Sequence, residues 1–179
     1  MTAMFCTIGH SNRSLEEFLG MLQAAQVKLL VDVRTFPRSR SNPVFNIDHL
    51  PDDLARVDIG YQHCAGLGGR RPKQKDIDSH LNAIWRVSGF HNYADYALSD
   101  EFTAAFNALI ALGQKTRLAL MCSEAVWWRC HRRIITDYLL LNGYLVDHLL
   151  MPGRVDHAVP TVGAKRLDNG KVIYPVVSE

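Results

Sequence analysis

The residues with the most evident chemistry lie within 118–140, in the stretch LALMCSEAVWWRCHRRIITDYLL. An apolar run ends at Cys122, and Glu124, Cys130, His131 and three arginines follow within eleven residues. Nearby cationic groups lower the pKa of a thiol, and the resulting thiolate is both a nucleophile and a metal ligand. The pattern therefore predicts a reactive Cys122 beside arginines that hold an anionic substrate.

Apolar runs that stop at polar residues predict the strands that would carry these groups. We predict strands over Ala3–Ile8, Lys28–Val33 and Arg117–Cys122. A Ser-x-x-Glu capping box and apolar residues at helical spacing predict a helix over 14–25. Strand, helix and strand within about thirty residues are typical of a βαβ unit with a parallel sheet.

The remaining elements complete an α/β prediction. The segment Asn92–Gly113 has helical spacing with a break near Ser99, and a helix that begins near Cys130 ends before Gly143. Further elements are expected as a short helix in 48–57, a short strand in 60–64, a strand in 144–151 and a hairpin in 161–176. We predict one compact domain over 1–179, with a mainly parallel sheet of four to five strands flanked by helices and a C-terminal hairpin.

Composition sets limits on location and partners. The chain has 179 residues, 47% of them hydrophobic, and a net charge of +2 with a pI near 8.4. It has four cysteines, no amino-terminal signal sequence, and no apolar run that reaches the roughly 18 residues of a membrane span. These features predict a cytoplasmic protein with free thiols and no membrane partner.

The ends of the predicted strands are expected to form the site. In open parallel sheets the ligand crevice lies beyond the carboxyl ends of the strands, where GHSNR, DVR and CSE would converge. Histidines can act there as acid or base, with a carboxylate fixing the tautomer. The candidate catalytic residues are Cys122, Glu124, His131, His10 and Asp32. The candidate substrate-binding residues are Ser11, Asn12, Arg34, Arg38, Arg70, Trp128, Arg129 and Arg132.

The same blocks resemble those of a known family. GHSNRS, VDVRTFPRSRSNPVFN, YQHCAGLGGR and CSEAVWWRCHR are similar to the signature blocks of the bacterial and archaeal domain of unknown function 488 family, and the resemblance covers about Cys6 to His148. It implies a compact α/β domain, but neither a settled reaction nor a substrate. The positions that match its motif blocks are Gly9, His10, Ser11, Asp32, Arg34, Pro37, Ser39, Gly68, Gly69, Cys122, Glu124, Cys130, His131 and Arg132.

Four hypotheses for function remain open. The first is an enzyme that acts on a phosphate-bearing, nucleotide-like or nucleic-acid-like substrate. The second is a non-catalytic module that binds nucleotide or nucleic acid through arginine-rich loops with aromatic neighbours. The third is a metal protein with Cys122, Cys130 and His131 as zinc or iron ligands, although the main prediction includes no metal. A redox pair of Cys122 and Cys130 is less favoured, because the spacing differs from C-x-x-C.

No cofactor is predicted from the sequence. It contains neither a P-loop nor a G-x-G-x-x-G motif, so neither a nucleoside triphosphate of the P-loop type nor a dinucleotide is expected. The expected partners are a small anionic ligand or a nucleic acid.

Overall fold

The computed structural model describes residues 4–177, which form a six-stranded sheet with helices packed on both faces and a separate two-stranded hairpin. The strands of the sheet are β1 (Phe5–Gly9), β2 (Leu29–Asp32), β3 (Gly60–His63), β4 (Leu118–Cys122), β5 (Val146–Met151) and β6 (Arg154–His157). The hairpin consists of β7 (Lys165–Arg166) and β8 (Val172–Ile173). The helices are α1 (Leu15–Ala24), α2 (Leu50–Ala55), α3 (Ser88–Tyr96), α4 (Asp100–Lys115) and α5 (Arg132–Leu141).

The strand order of the sheet is β3-β2-β4-β1-β5-β6. Strand β6 is antiparallel to β5, and every other neighbouring pair is parallel. The predicted α/β class, with a mainly parallel sheet and a C-terminal hairpin, is confirmed. The edge strand β6 is one strand more than predicted. Strands β1 and β2 are parallel, as a βαβ unit requires, but β4 lies between them.

The pairing register brings the ends of the central strands to one edge of the sheet. Gly9 of β1 lies opposite Cys122 of β4, and Asp32 of β2 lies opposite Met121. The pairing continues past the strands, because the backbone N–H of His10 donates to the carbonyl of Cys122 over 3.0 Å. The polar residues that follow these strands are therefore held by the sheet itself.

Two helix starts follow the predicted caps. The side chain of Ser14 accepts a hydrogen bond from the backbone N–H of Glu17 over 3.1 Å, and Ser99 accepts one from Phe102 over 3.2 Å. Each cap satisfies a backbone donor that has no partner within its helix. The predicted start of α1 and the predicted break before α4 are confirmed.

The third helix boundary differs from the prediction. The helix expected from Cys130 begins at Arg132, because residues 127–129 form a separate 3₁₀ turn. Helix α3 begins at Ser88 rather than at Asn92. Ala3 of the first predicted strand lies outside the described residues.

The sheet separates two apolar layers. In β1, Phe5 packs with α4 and α5 on one face, whereas Cys6 and Ile8 pack with Phe18 of α1 and Leu54 of α2 on the other. Both faces of the central strands are thus covered, which explains why the sequences of these strands are continuous apolar runs. Within residues 4–177, we find no helix that is both long and apolar enough to cross a membrane.

Candidate functional site

A cavity of about 680 Å³ opens at the carboxyl ends of β1, β2 and β4. Buried cysteines, the buried His10 and the half-buried His131 form its floor. Exposed arginines, the exposed Phe36 and the half-buried Phe90 form its rim. The predicted site residues that line it are His10, Arg34, Arg38, Arg70, Cys122, Glu124, Arg129 and His131. The predicted residues that do not line it are Ser11, Asn12, Asp32, Trp128 and Arg132.

The loop after β4 passes directly over the end of β1. A side chain at Gly9 would overlap the carbonyl of Glu124, so this position needs a glycine. The backbone N–H of Ser11 donates to the carbonyl of Ser123 over 2.9 Å. Ser11 itself has a positive φ of 46°. This close crossing holds the residues after β1 and β4 side by side.

Asp32 and Arg34 form a buried ion pair next to the cavity. The carboxylate accepts hydrogen bonds from Nε of Arg34 over 2.9 Å and from Nη2 over 2.7 Å. It also accepts the backbone N–H of Arg34 over 3.1 Å and the hydroxyl of Tyr61 over 2.6 Å. With its acceptor positions occupied, Asp32 aligns Arg34 rather than a histidine.

His10 is a buried, neutral histidine. Its Nδ1 donates to the carbonyl of Ser11 over 2.9 Å, which leaves Nε2 to accept from Nη1 of Arg34 over 3.3 Å. The ring stacks on Phe45 with 4.7 Å between centroids. Burial, with the charge of Arg34 adding to it, lowers the pKa of His10 to about 4. A carbonyl, not a carboxylate, therefore fixes its tautomer.

Cys122 and Cys130 form a pair of free thiols on the floor of the cavity. Their Sγ atoms lie 2.7 Å apart. Each sulfur also accepts a backbone N–H, Cys122 from Glu124 over 3.3 Å and Cys130 from Arg132 over 3.4 Å. Hydrogen bonds of this kind favour the anionic form of a thiol.

The two thiols differ in acidity. Burial raises the pKa of Cys122 well above its ordinary value, and the hydrogen bond to Cys130 raises it further. Burial also opposes ionisation of Cys130, but the hydrogen bond between the two thiols and the charge of Arg132 outweigh it and lower its pKa to about 7. The surroundings of the pair thus favour ionisation at Cys130, whereas the sequence predicted a lowered pKa at Cys122.

His131 lies beside Cys130. Its Nε2 donates to the carbonyl of Val33 over 2.8 Å, so the unprotonated Nδ1 faces the Sγ of Cys130 at 3.4 Å. A side chain at Gly69 would overlap the imidazole, so the ring packs directly on that glycine. Burial lowers the pKa of His131, which keeps the ring neutral as a proton acceptor for the thiol.

Arg132 is buried rather than available to a substrate. Its side chain is 1% exposed. Nη1 donates to the hydroxyl of Thr7 over 3.1 Å, and Nη2 donates to the carbonyl of Glu124 over 2.8 Å. No hydrogen-bond partner for Nε is found among the described residues. Arg132 therefore supports the loop after β4 from inside the protein.

Exposed arginines surround the mouth of the cavity. Arg40, Arg70 and Arg129 line it and have no ion-pair partner within residues 4–177. Arg38 instead donates two hydrogen bonds of 3.1 Å to the carboxylate of Asp48. The guanidinium groups that remain unpaired give the rim a positive potential.

The aromatic residues at the rim are Phe36 and Phe90 rather than Trp128. Phe36 is 64% exposed, and the guanidinium of Arg70 lies 5.8 Å from its ring centroid. Phe90 comes from α3 and was not predicted, because no motif or charge cluster distinguishes that helix. Trp128 is 45% exposed but lies outside the cavity.

The three residues that could be metal ligands in the alternative hypothesis, Cys122, Cys130 and His131, are only partly grouped. The sulfur atoms of Cys122 and Cys130 are in contact, and Nδ1 of His131 faces Cys130. Over the described range 4–177, no three His, Cys, Asp or Glu side chains are grouped so that they could hold a metal ion.

A family model described as Domain of unknown function DUF488 matches residues 14–139, more than half of the chain. The chain belongs to this family. No curated protein and no solved structure matches it. The match to the DUF488 family includes Cys122, Cys130 and His131, whereas His10 precedes it.

In this DUF488 protein the cavity combines three kinds of group. An acidic thiol lies beside a neutral imidazole, a second thiol contacts the first, and unpaired guanidinium groups surround both. Such a set can bind an anion at the rim and attack an electrophilic atom from the floor.

Proposed function

We propose that this DUF488 protein is an enzyme that acts on an anionic substrate bearing phosphate, such as a nucleotide or a nucleic-acid segment. The observation that carries the proposal is the set of unpaired arginines around a floor made of two thiols and two neutral histidines. Free thiols at all four cysteines support the cytoplasm as its location.

The rim is proposed to bind phosphate. Arg40, Arg70 and Arg129 are exposed, and a guanidinium offers paired donors that match phosphate oxygens. Arg34 makes four side-chain hydrogen bonds, two to Asp32, one to the carbonyl of Phe45 and one to His10, so few donors remain for a substrate. The exposed ring of Phe36 beside Arg70 offers a surface on which a base can stack.

The floor is proposed to carry the chemistry. Cys130 is the nucleophile, because its thiol has the lowered pKa and opens into the cavity. Nδ1 of His131 accepts the thiol proton of Cys130. The Cys122 sulfur, which accepts from the Cys130 thiol, then donates its own proton in a hydrogen bond to the thiolate. Glu124, which is exposed at the cavity wall, is the candidate acid for the leaving group.

Ligand titration tests the binding half of this proposal. Calorimetry with inorganic phosphate, AMP and a short single-stranded oligonucleotide is expected to identify at least one ligand. Arg70→Ala and Arg129→Ala should each weaken its binding roughly tenfold, because each removes a charge-assisted hydrogen bond. Arg154→Ala is the matched control, since Arg154 is exposed on β6 outside the cavity and should bind as wild type does. Equal weakening by Arg154→Ala, or no binding of any of the three ligands, would overturn the proposal.

The cysteine variants separate an enzyme from a binding module. Cys130→Ser and Cys122→Ser are expected to keep ligand affinity and to abolish the depletion of substrate from a mixture of nucleotides. A non-catalytic module would bind without depleting any nucleotide, in wild type and variants alike.

A further inference from the structure

We propose that Cys122 and Cys130 form a two-cysteine site that reduces small hydroperoxides, with the buried Arg132 as counter-ion of the Cys130 thiolate. The activity lies beyond the proposed function, because it needs neither the rim arginines nor a phosphate-bearing substrate. It rests on the contact between the two sulfurs, on the burial of Arg132 and on the opening of the thiols into the cavity.

Arg132 is a buried cation without a carboxylate partner. Its side-chain hydrogen bonds go to the hydroxyl of Thr7 and the carbonyl of Glu124, which are both uncharged acceptors. No carboxylate within residues 4–177 forms an ion pair with it. A buried charge without a counter-charge is costly, so the site needs an anion.

The histidine next to Arg132 does not supply that anion. Nδ1 of His148 lies 2.6 Å from the hydroxyl of Thr7, which also accepts from Arg132. The hydroxyl therefore donates to His148, and the ring stacks on Trp127 with 4.6 Å between centroids. Burial lowers the pKa of His148 to about 3, so the ring is neutral.

The thiol pair is the remaining source of negative charge near Arg132. The backbone N–H of Arg132, the first residue of α5, donates to the sulfur of Cys130 over 3.4 Å. The positive end of the helix dipole acts on the same sulfur. Burial opposes the charge of Arg132, but the sulfurs of Cys122 and Cys130 outweigh it and raise its pKa. One thiolate, on Cys130, neutralises the buried guanidinium.

The geometry of the pair allows a complete reaction with a hydroperoxide. The thiolate of Cys130 attacks the peroxide, the O–O bond breaks, and the products are a sulfenic acid on Cys130 and an alkoxide that takes a proton from water. Cys122 then attacks the sulfur of that sulfenic acid. The S–O bond breaks, the proton of Cys122 leaves with the oxygen as water, and a disulfide joins the two residues. The hydroperoxide is thereby reduced to an alcohol, and an added dithiol reduces the disulfide by exchange.

The position of the pair favours a small oxidant. Cys122 is 2% and Cys130 is 6% exposed, both at the floor of the cavity. A hydroperoxide reacts through its two oxygen atoms, which are small enough to reach such a buried sulfur. A peptide disulfide is bulkier and fits less well. The adjacent second thiol meets the condition for a resolving cysteine.

Peptide mass spectrometry after hydrogen peroxide treatment tests the reaction, with dimedone present to trap sulfenic acid. Wild type is expected to form a disulfide between Cys122 and Cys130 that dithiothreitol reverses. Cys122→Ser should carry a dimedone adduct on Cys130, and Cys130→Ser should carry none on Cys122. Cys64→Ser is the matched control, because Cys64 is a partly buried cysteine outside the pair, and it should react as wild type does.

Two results would overturn the proposal. One is a pair of intact thiols in wild type after peroxide treatment, and the other is an adduct on Cys122 in Cys130→Ser. Phosphate or AMP binding measured on the same samples keeps the two proposals apart. If the ligand still binds but the thiols do not react with peroxide, the proposed hydroperoxide activity is wrong and the proposed phosphate binding is unaffected.

The role of Arg132 has its own measurement, the pH dependence of the oxidation rate. The wild-type rate should rise with a midpoint near pH 7, as the pKa of Cys130 requires. Arg132→Met should move the midpoint up by about one unit and slow the reaction at neutral pH roughly tenfold, while Arg132→Lys should retain much of the rate. If Arg132→Met does not fold, the midpoint of the wild-type rate tests the role of Arg132 by itself. A midpoint near pH 9, the ordinary pKa of a thiol, would contradict a thiolate on Cys130 at neutral pH.

Discussion

Replacing Asp32 with alanine is expected to destabilise the fold by about 3 to 5 kcal/mol. The carboxylate is fully buried and accepts four hydrogen bonds, three from Arg34 and one from Tyr61. Without it, the guanidinium of Arg34 keeps its charge inside the protein, and the partners left to it among residues 4–177 are the carbonyl of Phe45 and the ring of His10. Urea denaturation measures the loss as a change in the free energy of unfolding.

Asp48→Ala is the matched control for this substitution. Asp48 accepts two hydrogen bonds from Arg38, but the two side chains are 52% and 60% exposed, and water replaces the lost contacts. Its removal should change stability little. A loss in Asp32→Ala no larger than that in Asp48→Ala would show that the buried pair does not organise the end of β2.

Lowering the pH from 6.5 to 5 is expected to cost about 1.5 kcal/mol of stability for each of His10 and His148. Burial lowers their pKa values to about 4 and about 3, whereas an unfolded histidine titrates near 6.5. Between these values the unfolded chain binds protons that the folded protein excludes, so stability falls as the pH falls. More than about one pH unit above 6.5 both states are neutral and the effect disappears.

Urea denaturation at a series of pH values measures this slope. His148→Gln should flatten the profile between pH 6.5 and 5 even where it lowers stability at neutral pH. His80→Gln is the control, because His80 is 91% exposed and should leave the profile unchanged. A wild-type profile that stays flat over this window would contradict the neutral, buried state of both histidines.

The sequence predicted most of the fold because its signals are local. Apolar runs ending at Asp32 and Cys122, and the caps at Ser14 and Ser99, depend on a few neighbouring residues. Strand β6 was not predicted, because its residues, Arg154–His157, do not alternate between apolar and polar and lie at the exposed edge of the sheet. The insertion of β4 between β1 and β2 depends on packing, which no local pattern reports. The single-domain organisation stays a prediction.

Topology explains why the sequence predicted which residues lie together at the site better than it predicted the role of each residue. Strand ends in a parallel sheet meet at one edge, so His10, Cys122 and His131 were expected to converge. Whether a polar side chain points into the cavity or into the core is decided by packing. Asp32 and Arg132 are buried beside the cavity and do not line it, and their predicted roles in catalysis and substrate binding stay predictions.

Ligand protection of Cys130 from alkylation tests most directly whether the thiol pair and the rim arginines form one site. The rate of reaction of Cys130 with iodoacetamide is measured by peptide mass spectrometry, with and without saturating AMP or inorganic phosphate. A bound ligand should slow alkylation of Cys130 several-fold while Cys64 reacts as before, and Arg129→Ala should need more ligand for the same protection. A ligand that binds yet leaves the rate at Cys130 unchanged would contradict a shared site.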